Sequence, residues 1–482
     1  MEKKPRHAGS GFILMLVTQI VFLLSGFVLS VGLGRLLGPE MFGVVGVAMG
    51  LILIIFNIQK SSFQQSVAKF TSEDPDLVES VKRKSLKWSF LISLVVAFLV
   101  FVFADLIALV FRDPSLGFYF RLGCPVIVFA GLFGVYLGYY GGTRKYKELM
   151  FLPIVNSVLR TGLALLLVFL GYAIGGVMVG LGVAIFITVI FAIFITKRGD
   201  VVGVFRMKKM WDYVKYIFVF LVLIMLLQNL GLYFVKALMP VDVASLNAGY
   251  YNAAFSLANI LYLICSALCL TLFPLVSNSD FRKDIRGLRS YIRNGMRYTL
   301  LILVPFVVLT AVNAKEILEL VYGVDYIPGS LILVVLSFAL FAYSLFYLTS
   351  MIISGTGNAK GITKVTFIVL IVNVILNFIL IYFYGAVGAA IGALVAFTIG
   401  FLINGGYIYG KYGNFVSFGL IFKLFLISVI VSVVSIYVSY EGIYVVLEYF
   451  LGLVLYGILL VVFREVKTLD IKRIKESVKQ LR

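Results

Sequence analysis

Apolar residues come in long runs separated by short polar stretches, and the lengths of the runs set the architecture. Fourteen can be marked off: 10–33, 42–62, 86–111, 118–142, 150–171, 176–196, 213–235, 246–273, 296–313, 329–353, 363–384, 387–409, 418–439 and 443–463. Each approaches or exceeds the roughly 20 residues that a helix needs to cross a bilayer. The pattern predicts an all-α integral membrane protein of about 14 transmembrane helices. The connections are short, the longest being basic stretches around 197–212 and 274–295. Residues 34–69 depart from the apolar pattern. A short polar turn with Gly34, Arg35, Gly38, Pro39 and Glu40 leads into an apolar run; then Asn57, Lys60, Ser61, Gln64, Gln65 and Ala68 recur at steps of three and four. That spacing places them on one helical face. Lipid cannot solvate such a stripe, so it is expected to face a bundle interior or a water-filled cavity. The plainer reading, a helix end whose lysines snorkel to the headgroups, fits Lys69 better and competes for Asn57 and Lys60.

Composition agrees with a membrane protein. Of 482 residues, 62% are hydrophobic and 13% charged, against about 25% charged in soluble domains. The net charge of +19 raises the question of nucleic acid, but the placement of the charges argues against it. Most of the 41 Lys and Arg alternate to one side: Lys3, Lys4 and Arg6, then 82–87, 144–147, 197–215, 282–297, Lys360, Lys364, Lys411 and the tail 464–482. The other side holds Arg35, Arg112, Lys236 and Lys315, often beside acids such as Glu40, Asp113, Asp242 and Glu316. This is the positive-inside pattern with both termini cytoplasmic, in a multi-pass protein of the cytoplasmic (plasma) membrane. The basic loops then serve topology and contact anionic membrane lipids, and no nucleic-acid partner is expected. Cys124, Cys265 and Cys269 lie in apolar segments with neither disulfide nor metal spacing. The single histidine, His7, sits in the N-terminal tail, which excludes histidine catalysis within the membrane. The first apolar run lacks a small-residue cleavage site and is expected to stay as a helix.

The chain also repeats itself. Gly142-Thr143, Val155-Asn156, Gly176-x-x-x-Gly180 and Ala184 are matched by Gly355-Thr356, Val372-Asn373, Gly388-x-x-x-Gly392 and Ala396, at offsets of 212 to 217. A weaker match sets Arg35 before Gly43 against Lys236 before Gly249. The simplest account is two pseudo-symmetric six-helix lobes, 1–205 and 206–411, followed by two extra helices and a basic tail over 412–482. Repeats of this kind build transporters whose cargo site lies between the halves. The glycine pairs themselves read as close-packing positions.

These residues carry a family resemblance. LGRLLGPEMFGVVGVA at the end of the first run resembles the opening of Wzx-type polysaccharide exporters. These are flippases for lipid-linked oligosaccharides in the multidrug/oligosaccharidyl-lipid/polysaccharide exporter superfamily. GYYNAAFSLANI (249–260), LFPLVS (272–277) and ISGTGNAKG (353–361) are similar to that family's eighth and tenth helices, so the likeness spans essentially the whole chain. It implies a V-shaped pair of lobes that alternate access by rocking. It also implies a cargo of polyprenyl- or dolichyl-linked glycan, no enzymatic step, and work alongside other glycan-assembly proteins.

Such a cargo needs cations for its phosphate and amides, hydroxyls or phenols for its sugars. Arg160 is the leading candidate, about 15 Å into the fifth run with Asn156 one turn earlier. An intramembrane arginine marks a functional site or a structural pair, and guanidinium binds phosphate bidentately. Lys60 follows, with Asn57 and Gln64 on its face. Arg35 and Lys236, at matched outer ends, could receive a headgroup or act as interfacial anchors. Gln19, Gln228 and Asn229 could bind sugar or hold helices together, as could Tyr250, Asn252, Asn259, Asn373 and Asn377. Multidrug members of the superfamily usually carry a carboxylate in the first or seventh helix for coupling to protons or sodium; here neither run has one. Asp105 is the clearest acid within the first six runs, either a coupling group or an interfacial residue near Arg112. No cofactor is expected, with the energy source left among Na+, H+ and the membrane potential. A cavity of bases and amides suits an anion better than a drug cation. A cation-coupled multidrug exporter and a lipid II flippase remain the alternatives. A membrane glycosyltransferase or polymerase is disfavoured by the small size of the 314–328 connection.

Overall fold

The computed structural model describes residues 8–197, 199–437, 442 and 444–465. Lys3, Lys4, Arg6, His7, Arg198 and the basic tail from Lys467 onward lie outside the described residues. Among the described residues the chain is helical, with no strand. In lipid an unpaired backbone group costs several kcal/mol, so helices that satisfy their own backbone are one of two ways to span.

The helices are α1 (Ala8–Glu73), α2 (Val78–Val110), α3 (Ser115–Gly142), α4 (Tyr146–Leu167), α5 (Ala173–Ile195) and α6 (Met207–Leu238). There follow α7 (Val241–Phe281), α8 (Ile285–Val312), α9 (Ala314–Tyr322), α10 (Ser330–Gly355), α11 (Ala359–Tyr412), α12 (Phe418–Tyr437) and α13 (Tyr444–Val462). Among the described residues, eleven helical segments are long and apolar enough to cross a membrane. The expected polar turn at 34–40 is narrower than its composition suggests. Helix runs through it and breaks at Gly38 alone, whose φ of 73° and ψ of 171° are closed to L side chains, with Pro39 restarting the helix. The basic stretch at 274–295 is likewise mostly helix, since α7 runs to Phe281 and α8 begins at Ile285.

By packing, the chain divides into two compact units, Met1–Gly249 and Tyr250–Arg482. In the first, α1 packs on α3, α4 and α6, α2 packs on α3, and α4 packs on α5. In the second, α10 packs on α11 and α8, and α12 packs on α8 and α13. Each unit has glycine breaks of its own. α4 and α5 join through a π-turn (Val168–Tyr172) with Gly171 at φ 92°, and α11 bends at Gly385 with φ 56°. A Cβ on Gly180 would meet Ala164 backbone at 2.8 Å, and one on Gly388 would meet the Leu380 carbonyl oxygen at 2.0 Å, so the matched glycines are packing positions.

The helices are inside-out relative to a soluble protein. On α2, Ser85, Ser89, Ser93, Ala97, Ala104 and Ala108 are buried, whereas Phe98, Leu106 and Leu109 are exposed. With lipid outside, apolar bulk gains nothing by facing inward, and small residues are favoured where helices meet.

Candidate functional site

The polar stripe occupies the second half of α1, and α3 holds it from behind. Gly134, Gly138 and Gly142 recur every fourth residue on α3, where a Cβ would meet the carbonyl oxygens of Lys60, Gln64 and Ala68 at 2.3, 2.6 and 2.7 Å. Only a glycine row allows this approach, and it fixes the rotation of α1. Gln59, Ser62, Ser66 and Val67 are thereby buried, and Asn57, Lys60, Ser61 and Gln64 keep partly accessible side chains. The Lys60 ammonium donates to Asn57 Oδ1 at 2.9 Å and lies 5.6 Å from the centre of the Phe56 ring. Gln65 and Lys69 are exposed further along, with Lys69 seated over the Tyr213 ring at 4.1 Å.

α4 brings the second cation. Arg160 stands about 21 Å along the helix from Tyr146, with Asn156 one turn earlier, and both are partly accessible. Hydroxyls lock α4 to the first half of α1 beside it: Ser25 Oγ donates to the Ser157 carbonyl at 2.8 Å, and Thr161 Oγ1 donates to the Ser25 carbonyl at 3.0 Å. The Arg160 guanidinium lies 5.7 Å from the Phe22 ring centre, and its Nε is buried with no hydrogen-bond partner. Arg160 is near enough to Lys60 for its charge to oppose the lysine's. Among the described residues neither cation is in an ion pair. Two like charges thus lie on packed helices with no carboxylate paired to either, an arrangement that an anion would stabilise.

The remaining candidates separate by environment. Gln19, Gln228 and Asn229 are partly accessible, with Asn229 Nδ2 bonded back to the Met225 carbonyl at 2.9 Å. Arg35 is exposed just before the Gly38 break. Lys236 corrects the expectation of an outer headgroup receiver. It is 3% exposed, pairs with Asp113 Oδ2 at 2.7 Å and donates to Ser245 Oγ, so its charge is already neutralised. Burial raises the Asp113 carboxyl, but hydrogen bonds from Lys236 and Ser115 outweigh it and hold the group below the usual carboxylate range. Asp105 is 68% exposed and pairs with Arg121 at 2.5 Å, rather than sitting against Arg112.

In the second unit, Tyr250 and Asn252 are half-buried, Tyr250 edge-on to Tyr326 with ring centres 6.4 Å apart. Asn259 is also half-buried. Asn373 and Asn377 are corrected: at 1% and 0% exposure they lie in helix packing, and Asn377 Nδ2 donates at 2.7 Å to both the carbonyl and the Oδ1 of Asn373. Sequence reasoning passed over Glu448, which is buried and accepts from Ser435 Oγ at 2.5 Å, while Asn313 donates to that hydroxyl at 3.2 Å. Its signal was plain, the one acid in the run 443–463. The Phe22–Arg160 contact had no signal, because nothing in the sequence pairs those two helices. Among the described residues no group of three or more His, Cys, Asp or Glu side chains could hold a metal ion.

Comparison with solved structures identifies the fold. A lipid II flippase MurJ in its inward closed conformation is 17% identical, with a TM-score of 0.75 over 94% of this chain and 99% of that one. A multidrug resistance MATE transporter of the MOP superfamily is similar in its inward-facing conformation, at 15% identity and TM-score 0.64 over 82% and 98% of the two chains. Such a transporter in an outward-facing conformation is similar too, at 15% identity and TM-score 0.57 over 83% and 96%. No curated protein matches the sequence. Residues 33–331 match the family model described as polysaccharide biosynthesis protein. The chain belongs to the polysaccharide biosynthesis protein family.

Proposed function

We propose that the protein carries a lipid-linked, phosphate-bearing glycan across the cytoplasmic membrane by alternating access, without a chemical step. The observation that carries this reading is the Arg160–Lys60 pair, two cations on one partly accessible face with no described carboxylate beside them. Guanidinium and ammonium would hold the phosphate, while Asn57, Gln64, Asn156 and Gln19 meet sugar hydroxyls. Gln228, Asn229, Tyr250 and Asn252 extend the polar set, with Arg35 at the outer surface and the lipid tail left in the bilayer. Lipid II, the cargo named for the MurJ relative, falls within this chemical class.

Segment length supports a topology of fourteen crossings. Three of the eleven spans, Thr18–Glu73, Tyr146–Ile195 and Lys360–Tyr412, hold 56, 50 and 53 residues and bend at Gly38, Gly171 and Gly385. Each is about 75–85 Å long, far beyond one crossing. Counting each twice gives fourteen crossings in two repeats, 1–205 and 206–411, with α12 and α13 appended over 412–482. The charge alternation supports cytoplasmic termini. Sodium, protons or the membrane potential would drive the cycle.

The test uses sealed liposomes and a fluorescent polyprenyl-pyrophosphate oligosaccharide exposed to an external quencher, with and without a potential. Faster exposure with protein is expected, falling at least about 30-fold in Arg160→Ala, since truncating one side of a buried charge pair costs about 2 kcal/mol or more. Arg160→Lys should recover part of it, lacking the planar fork. Unchanged flipping by a well-folded Arg160→Ala would sink the phosphate role. Cation-driven ethidium efflux with no glycan exposure would instead make the protein a multidrug exporter.

A further inference from the structure

A second basic site lies apart from the Arg160–Lys60 face, inside the Tyr250–Arg482 unit. The beginning of α8, the segment between α11 and α12, and the end of α13 enclose a cavity of about 460 Å³, within the ~300–1,000 Å³ range of small-molecule sites. Its lining carries Arg293, Arg297, Lys423 and Arg464 against one carboxylate, Glu465. That carboxylate is already engaged, because Lys423 donates to Glu465 Oε1 at 2.7 Å and to the Phe463 carbonyl at 3.2 Å. Arg297 donates to the Glu465 carbonyl. The side chains of Arg293 and Arg464 make no hydrogen bond or ion pair with any described residue, and both are exposed.

Apart from Asn294, Ser417 and Gly419, the rest of the lining is apolar: Met296, Leu300, Phe415, Val416 and Leu420. Beside the cavity, Phe422 and Phe425 of α12 and Ile458 and Val461 of α13 are exposed. A cationic cavity opening beside lipid-facing hydrocarbon is complementary to an anion that carries its own apolar chain. A free inorganic anion would have no use for the apolar wall. Basic pockets between transmembrane helices hold anionic lipid heads by this combination.

We propose that this cavity binds the phosphate head of an anionic membrane lipid. Arg293 and Arg464 take the phosphate, Asn294 and Ser417 supply neutral polar contacts, and the chains lie along α12 and α13. The site is independent of the cargo reading, since it shares no residue with it.

The test is native mass spectrometry of the purified, delipidated full-length protein titrated with phosphatidylglycerol, phosphatidylcholine or inorganic phosphate. Wild-type protein should retain a tightly bound phosphatidylglycerol and prefer it to phosphatidylcholine. The double variant Arg293→Gln/Arg464→Gln should bind it about tenfold more weakly or worse, two surface cations having been removed. Arg293→Lys/Arg464→Lys should keep most of the binding, which guards against misfolding as the cause of a loss. Arg160→Ala should bind phosphatidylglycerol like wild type whatever it does to flipping, which separates the two sites. Unchanged phosphatidylglycerol binding by the double Gln variant would overturn the proposal. Displacement of phosphatidylglycerol by an equal concentration of inorganic phosphate would overturn it as well, by making the cavity a free-anion site.

Discussion

Asn156 and Arg160 on α4 stand at the same repeat positions as Asn373 and Asn377 on α11. Both pairs are one helical turn apart in a helix that leads to a glycine bend. Their environments are opposite. The α4 pair is partly accessible, and its guanidinium Nε has no hydrogen-bond partner. The α11 pair is buried, and its amides bond to one another. Polarity inside a membrane helix does not by itself mark a site. What separates the two cases is access, since each pair leaves one buried polar atom, Arg160 Nε or Asn377 Oδ1, without a hydrogen-bond partner.

The most damaging test of this contrast exchanges the residues. Asn377→Arg places a guanidinium in helix packing with no adjacent carboxylate, and about 3–5 kcal/mol of stability should be lost. Arg160→Asn should fold as well as wild type and lose transport. Thermal unfolding and folded yield in detergent check both, and a stable Asn377→Arg protein would break the comparison.

A paired cation gives a slightly smaller effect. Asp113→Asn leaves Lys236 buried without its anion and should cost about 3 kcal/mol, with flipping per folded molecule unchanged. Because the native Asp113 carboxyl is held below its usual range, the pair contributes fully above the unfolded carboxylate pKa of about 3.9. That contribution is lost as pH falls through the lower, folded value. Melting curves should therefore separate wild type from Asp113→Asn near neutrality and converge in strong acid. A separation that persists in acid would mean that the pair is not its source.

The smallest effect belongs to Asp105. Its pair with Arg121 is exposed, and such pairs contribute about 0–1 kcal/mol. Asp105→Asn should melt within about 1 kcal/mol of wild type and flip at the same rate. A loss of ion-driven transport in that variant would make Asp105 a coupling group and reopen the case for exposed acids.

Much of the architecture was legible in one dimension. The apolar runs report on a chain-local rule, the length of a helix that crosses lipid. The stripe from Asn57 to Gln64 was also legible, because helical periodicity alone assigns its shared face. Tertiary structure decided which polar residues were free to act. Lys60 and Lys236 are both lysines in apolar helices, but only Lys236 meets an aspartate, contributed by the turn between α2 and α3. Arg160 and Asn377 differ in what neighbouring helices cover. Access and ion pairing depend on residues far apart in the chain, so spacing within one helix carries no information about them.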